Sequence, residues 1–180
     1  MADFDKALPF TLKSEGGYSN NPDDTGKMTF AGISRVNNPN WSGWATIDQY
    51  KAANDLHNID SLLQNETLMQ NVSTYYKANY WDVNRLSDIN DQQIAAACFD
   101  TGVNMGIGRA AKFLQMAANV TPDGIIGNQT IVAVNSLSPQ LVSSNFNTLR
   151  KNKYLSIIAA NPSQEQFKAS WFSRILPYQS

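Results

Sequence analysis

Three side chains near the start of the chain could do chemistry together: Glu15, Asp24 and Thr29. Glu15 closes an apolar-periodic segment (Asp5 to Glu15, with Leu8 and Leu12 four apart) that reads as a helix stopped by Gly16-Gly17. Asp24 follows nine residues later, inside the turn-rich run Asn20-Asn21-Pro22-Asp23-Asp24-Thr25-Gly26, and Thr29 lies five residues beyond it. Acid-catalysed cleavage of a glycosidic bond needs one carboxylic acid to protonate the leaving oxygen, and usually a second carboxylate across the cleft. A helix end facing a short hairpin holds two such groups on opposite walls of a groove. The C-terminal end of a helix also carries partial negative charge, which favours a carboxyl that keeps its proton. On spacing alone the bland reading stays open: Glu15 as a solvated helix-end residue, and Asp23-Asp24 as ordinary turn formers.

The elements that must position these groups are mostly helical. Pro9 falls in the first helix, where it is expected near the start. Tyr18 to Ser34 reads as a small irregular β-hairpin lobe. Helices are then expected over Thr46 to Asn54 and over Asn65 to Trp81, the latter with Leu68, Val72, Tyr75, Tyr76 and Tyr80 at helical spacing. Asn90, with Gln93 three residues on, is the expected cap of a helix running to Val103. Further helices are expected over Arg109 to Asn119, Asn128 to Leu137, Pro139 to Ala160 and Ser163 to Leu176, with Pro122-Asp123-Gly124 as a turn and Asn128 as a cap. No repeat or linker divides the chain. The expectation is therefore one domain over 1–180, α+β and predominantly helical, with a catalytic-motif half (1–90) and a helical half (91–180).

Composition narrows the function classes. The chain has 180 residues, 42% of them hydrophobic, enough for a sizeable core without disulfides. With a net charge of −1 and a pI of about 5.7, it lacks the basic excess of a nucleic-acid binder. One cysteine, Cys98, sits in the apolar run Ile94 to Phe99 and reads as an inert core thiol. One histidine, His57, gives neither a Cys–His catalytic couple with an orienting group nor a transition-metal site, so no cofactor or metal is expected. The N-terminal Met1-Ala2-Asp3-Phe4-Asp5-Lys6 has no basic n-region followed by a long apolar stretch, and no segment has the length to insert in a membrane. The expectation is synthesis in the cytoplasm without a signal peptide.

The run from Glu15 to Ile33 resembles the signature of glycoside hydrolase family 108, a group of lysozyme-like muramidases. The matching residues are Glu15, Gly16, Gly17, Tyr18, Pro22, Asp24, Gly26, Thr29, Gly32 and Ile33, while Lys27 stands where the family has a second glycine. A second block, Phe99 to Gly106 through Asp123 to Thr130, with a closing segment Phe167 to Arg174, resembles the peptidoglycan domain that follows in that family. The resemblance implies a lysozyme-like fold and cleavage of the β-1,4 bond between N-acetylmuramic acid and N-acetylglucosamine, with Glu15 as the catalytic residue. The Glu15, Asp24, Thr29 order is also similar to the catalytic triad of phage lysozymes, with an Asp-to-Thr gap one residue different. The implied partners are glycan strands of peptidoglycan and a holin or secretion apparatus for release to the wall.

Tyr18, beside the acid, is the best candidate substrate contact, and Tyr76 is a further one; Asp100 and Asn104, one helical turn apart on one face, could line the cleft or bond backbone around Gly106. Trp41, Trp44, Tyr75 and Tyr80 could stack on sugars, although an aromatic stripe at helical spacing is more often core. Asp123-Gly124 reads as a tight turn more than as a wall contact. Two other functions fit the same residues. A lytic transglycosylase needs only the acid, so Asp24 would be dispensable; a wall-binding or secretion-accessory module would need neither carboxylate.

Overall fold

Phe4, Ala7 and Thr11 are buried at helical spacing, and they set the inward face of the first helix, α1 (Phe4–Lys13), in a computed structural model that describes residues 1–20, 28–53 and 61–179. Pro9 lies in the interior of α1, not near its start as expected. The helix tolerates it because Pro9 and Asp5, whose carbonyl loses its amide partner, both face solvent. After α1 come three short strands, β1 (Tyr18–Asn20), β2 (Met28–Phe30) and β3 (Ile33–Ser34), forming one antiparallel sheet in that order. Tyr18 pairs with Phe30, Ser19 with Thr29, and Phe30 with Ile33. Then follow α2 (Gly43–Ala53), α3 (Glu66–Tyr76), α4 (Gln92–Met105), α5 (Ile107–Ala117), α6 (Asn128–Ser136), α7 (Pro139–Ala160) and α8 (Lys168–Ser173). This is an α+β architecture, predominantly helical among the described residues, with one small antiparallel sheet.

The chain divides into two compact units, Leu8–Asn79 and Met1–Ala7 with Tyr80–Ser180. In the first, Phe30, Ile33, Trp44, Ile47, Leu68, Val72 and Tyr76 form the core. In the second, Phe4, Trp81 and Phe99 meet edge to face at 5.6 to 5.8 Å, and Ile94, Cys98, Leu114, Val142, Phe146 and Tyr154 fill in around them. Cys98 is fully buried, and that burial pushes its thiol up to about 12, which keeps it protonated at neutral pH. Among the described residues, no helix is long and apolar enough to cross a membrane.

Several element boundaries differ from expectation for identifiable reasons. The segment after Asn65, whose side chain caps α3 by accepting from the Leu68 amide at 2.9 Å, does not continue as α-helix to Trp81. It widens at Lys77–Trp81 into a π-helical turn that brings Trp81 inward, where its indole donates to Ser87 Oγ at 2.8 Å. Asp91, not Asn90, caps α4 by accepting from the Ile94 amide, while the Asn90 amide goes to Asn135 Oδ1. Gly127 occupies the cap of α6, and Asn128, its first residue, accepts from Arg85 at 2.8 Å instead. The expected last helix is a 3₁₀ stretch, Pro162–Phe167, followed by the short α8. Asp123-Gly124 is a turn, pinned by the buried Gln115: its amide donates to Asp123 Oδ1 at 2.6 Å and its carbonyl accepts from the Gly124 amide at 2.9 Å.

Candidate active site

The local folding around Glu15 begins with the end of α1. The helix stops at Lys13, two residues before Glu15, and a tighter terminal turn follows. Ser14 N–H bonds Thr11 C=O at 3.1 Å, and Glu15 N–H bonds Leu12 C=O at 3.0 Å. Gly16 then takes φ +74°, the left-handed conformation that lets the chain leave a helix. Glu15 is thus fixed at the root of the sheet, half-buried, between the last turn of α1 and β1.

The β2–β3 connection reaches the same spot. Phe30 pairs with Ile33 around a two-residue loop, Ala31-Gly32, with φ of +46° and +77°. Two successive positive φ values suit the twist of a tight hairpin, but Ala31 pays the steric cost of a left-handed side chain. Two hydrogen bonds hold it there. Its amide donates to Gly17 C=O at 3.0 Å, and Tyr76 of α3 donates its hydroxyl to Ala31 C=O at 2.8 Å. A Cβ placed on Gly32 would stand 2.8 Å from Glu15 Oε2, 3.1 Å from Glu15 Cβ and 2.6 Å from the Tyr76 hydroxyl. The Glu15 side chain therefore lies directly across Gly32, with Tyr76 behind it. The strain and the close approach coincide at the candidate acid, where stored backbone strain is often found.

This contact yields a direct expectation. Gly32→Ala would force a left-handed alanine and drive its methyl into the Glu15 carboxylate and the Tyr76 hydroxyl. Together the left-handed strain and overpacking should cost about 2–4 kcal/mol of stability. Activity measured well below the melting transition should also fall, because Glu15 must move aside. A Gly32→Ala protein with parental melting temperature and activity would refute this packing.

The aromatic residues nearby are structural. Trp41 stacks on Phe30 at 6.4 Å, meets Trp44 edge to face at 5.0 Å and lies against Tyr75 at 6.5 Å. Gly43 is glycine because the Trp41 ring covers it. The polar ends are satisfied by the backbone and by Asn38: Trp44 Nε1 donates to Asn38 C=O at 2.7 Å, and the Tyr75 hydroxyl to Asn38 Oδ1 at 2.9 Å. Tyr76 is only 2% exposed, so it sets the hairpin and does not offer the sugar contact expected of it. Tyr18 has a half-buried ring with the Lys51 ammonium 5.8 Å away; its hydroxyl is enclosed and has no hydrogen-bond partner among the described residues. Beside it Arg35 and Asp48 form a forked ion pair at 2.6 and 2.7 Å, which holds the Asp48 carboxyl below its usual range.

Thr29 lies in the middle strand, half-buried, across from Ser19 and Ser34. Alternation along β2 puts its side chain on the sheet face opposite the buried Phe30. Asp24, with Pro22, Gly26 and Lys27, lies outside the described residues. Asp100 and Asn104 belong to α4, in the other unit. Asp100 is fully buried between Arg150 and Arg174, with both its oxygens taken, so it offers no surface to a substrate and its expected contact role is withdrawn. Asn104 is exposed at the end of α4 and accepts from the Tyr154 hydroxyl at 2.8 Å.

Comparison with known proteins settles the family. The model of the family described as glycosyl hydrolase 108 matches residues 8–106, more than half of the chain and all of the structure around Glu15. The chain belongs to glycosyl hydrolase family 108. A second model, described as a predicted peptidoglycan domain, matches residues 108–176. This family 108 protein is accordingly a glycoside hydrolase, and its substrate is peptidoglycan. Among solved structures, that of Brucella abortus SagA is similar with a TM-score of 0.64 at 24% identity, covering 96% of this chain and 88% of that one. That likeness shows the lysozyme-like fold. No match was found among curated proteins.

Proposed function

We propose that this family 108 enzyme is an N-acetylmuramidase that hydrolyses the β-1,4 bond between N-acetylmuramic acid and N-acetylglucosamine, with Glu15 as general acid. The observation that carries the reading is the fixed placement of the Glu15 carboxyl across Gly32, at the junction of helix and sheet. In this scheme the Glu15 acid passes its proton to the glycosidic oxygen as the bond from C1 to that oxygen breaks. Positive charge grows on the sugar ring, and a carboxylate on the far wall stabilises it or orients the incoming water. We assign that role to Asp24, nine residues after Glu15 in the sequence. The Thr29 hydroxyl, projecting from the middle strand, orients the water or the Asp24 carboxylate. Water then adds its oxygen to C1, and its proton goes to a carboxylate.

The same proposal includes release to the wall through a holin, as in a phage endolysin, or through a secretion apparatus, as the route by which the enzyme meets its substrate. A lytic transglycosylase on the same bond is the competing reading, and Asp24 separates the two. Asp24→Asn should lower hydrolysis about a hundredfold or more if the carboxylate positions water or stabilises charge. A variant that cleaves glycan at the parental rate and yields products one water lighter would instead establish transglycosylation.

A further inference from the structure

Outside the site around Glu15, the unit that contains Tyr80–Ser180 carries a groove of about 410 Å³ between α7 and the segment that follows α8. One wall is a polar strip along α7: Gln140, Ser144, Asn147, Thr148 and Lys151, spaced so that they share a helix face. The other wall is apolar, made of Ile175, Leu176 and Pro177. A hydrogen bond from Asn147 Nδ2 to Leu176 C=O at 2.8 Å ties the walls together. That bond fixes the amide's orientation and leaves Asn147 Oδ1, shielded from bulk water, without a donor among the described residues. A buried acceptor in that state is a standing cost that a ligand N–H would relieve. At the far end of the strip Lys151 is exposed, its ammonium 5.8 Å from the centre of the Phe172 ring, and it is paired with no carboxylate among the described residues.

We infer that this groove is a second ligand site, and that its occupant is the peptide stem of peptidoglycan and not the sugar chain. A strip of hydroxyl and amide groups facing an apolar wall suits an extended peptide, which presents amides along one edge and small apolar side chains along the other. Asn147 Oδ1 accepts a peptide N–H, and Lys151 takes a stem carboxylate. Sugar rings are usually held by open aromatic faces, and here the lone lining ring, Tyr178, is half-buried with its hydroxyl committed to Asp91 at 2.8 Å. The inference rests on peptidoglycan being the substrate, and is independent of which bond Glu15 cleaves.

The test is calorimetric titration of the full chain with a synthetic sugar-free stem peptide carrying a free C-terminal carboxylate, with its C-terminal amide, and with a peptide-free N-acetylglucosamine oligosaccharide. The acid should bind about five- to tenfold more tightly than the amide, a difference that Lys151→Gln should abolish. Because Lys151 is exposed, that variant should fold as the parent does. Asn147→Ala should weaken the acid and the amide alike. Cleavage of peptide-free glycan strands should be unchanged in Lys151→Gln, so failure of the groove and failure of the Glu15 reading are separately visible. No binding of the peptide, equal binding of acid and amide, or indifference to Lys151→Gln would overturn the inference. So would an oligosaccharide that binds the parent but not the Asn147→Ala protein.

Discussion

Glu15→Gln is expected to fold and melt like the parent while losing glycan cleavage by about 10²–10⁴-fold, the usual contribution of general acid–base catalysis. The amide matches the carboxyl in shape, so it keeps the packing across Gly32, where Glu15 Oε2 would lie 2.8 Å from an added Cβ. It can donate a hydrogen bond to the glycosidic oxygen, but it cannot deliver a proton. The half-buried position past the end of α1 limits the stability change to about 1 kcal/mol, in the direction of relieving negative charge at a helix C-terminus. Thermal melts alongside turnover of purified cell walls separate the two effects. A variant that melts unchanged and still clears walls at the parental rate removes Glu15 from the mechanism.

The second large effect concerns stability, not chemistry. Asp100 is clamped from two sides: Arg150 Nη2 at 2.7 Å from Oδ2, and Arg174 with Nη2 at 2.7 Å from Oδ1 and Nε at 3.3 Å from Oδ2. The exposures are 0% for Asp100, 1% for Arg150 and 6% for Arg174. One carboxylate thus serves two buried guanidinium groups, and Arg150 Nε has no partner of its own among the described residues. Asp100→Asn keeps the volume and removes the only negative charge of the three. Breaking a buried ion pair in this way costs about 3–5 kcal/mol, which for a chain of this size lowers the melting temperature by on the order of 10 °C. Below the transition, kcat and KM should stay close to the parental values. If Asp100 touched substrate instead, the same variant would raise KM with little change in melting.

Asp100 also shows where sequence reading runs out. The carboxylate in a helix was visible, and so was Asn104 one turn later. Its two partners, however, lie 50 and 74 residues away, and no local pattern announces them. The place of Glu15 just past a helix end was legible for the opposite reason: its signals are all local, an apolar helix face, a glycine stop and turn chemistry within one short stretch. Tyr76 sat in an aromatic stripe whose spacing is the same whether it faces a core or a cleft, and only the fold shows that its hydroxyl clamps Ala31. Gly32 appeared in the family pattern as a bare glycine. The requirement behind it, room for the Glu15 side chain, comes from a contact across two elements. The shift of the α4 cap from Asn90 to Asp91 is of the usual kind, since adjacent residues of similar capping strength are separated only by where tertiary packing sets the first turn.

Mass spectrometry of the soluble fragments released from purified peptidoglycan tests the central claim most directly, with the parent and Glu15→Gln proteins digested side by side. The account predicts disaccharide-peptide fragments from the parent that end in a reducing N-acetylmuramic acid, carry one added water per bond cleaved, and are reduced about 10²–10⁴-fold with Glu15→Gln. Fragments ending in anhydro-muramic acid, ending in reducing N-acetylglucosamine, or cut only in the peptide would contradict it, as would fragments released equally by both proteins.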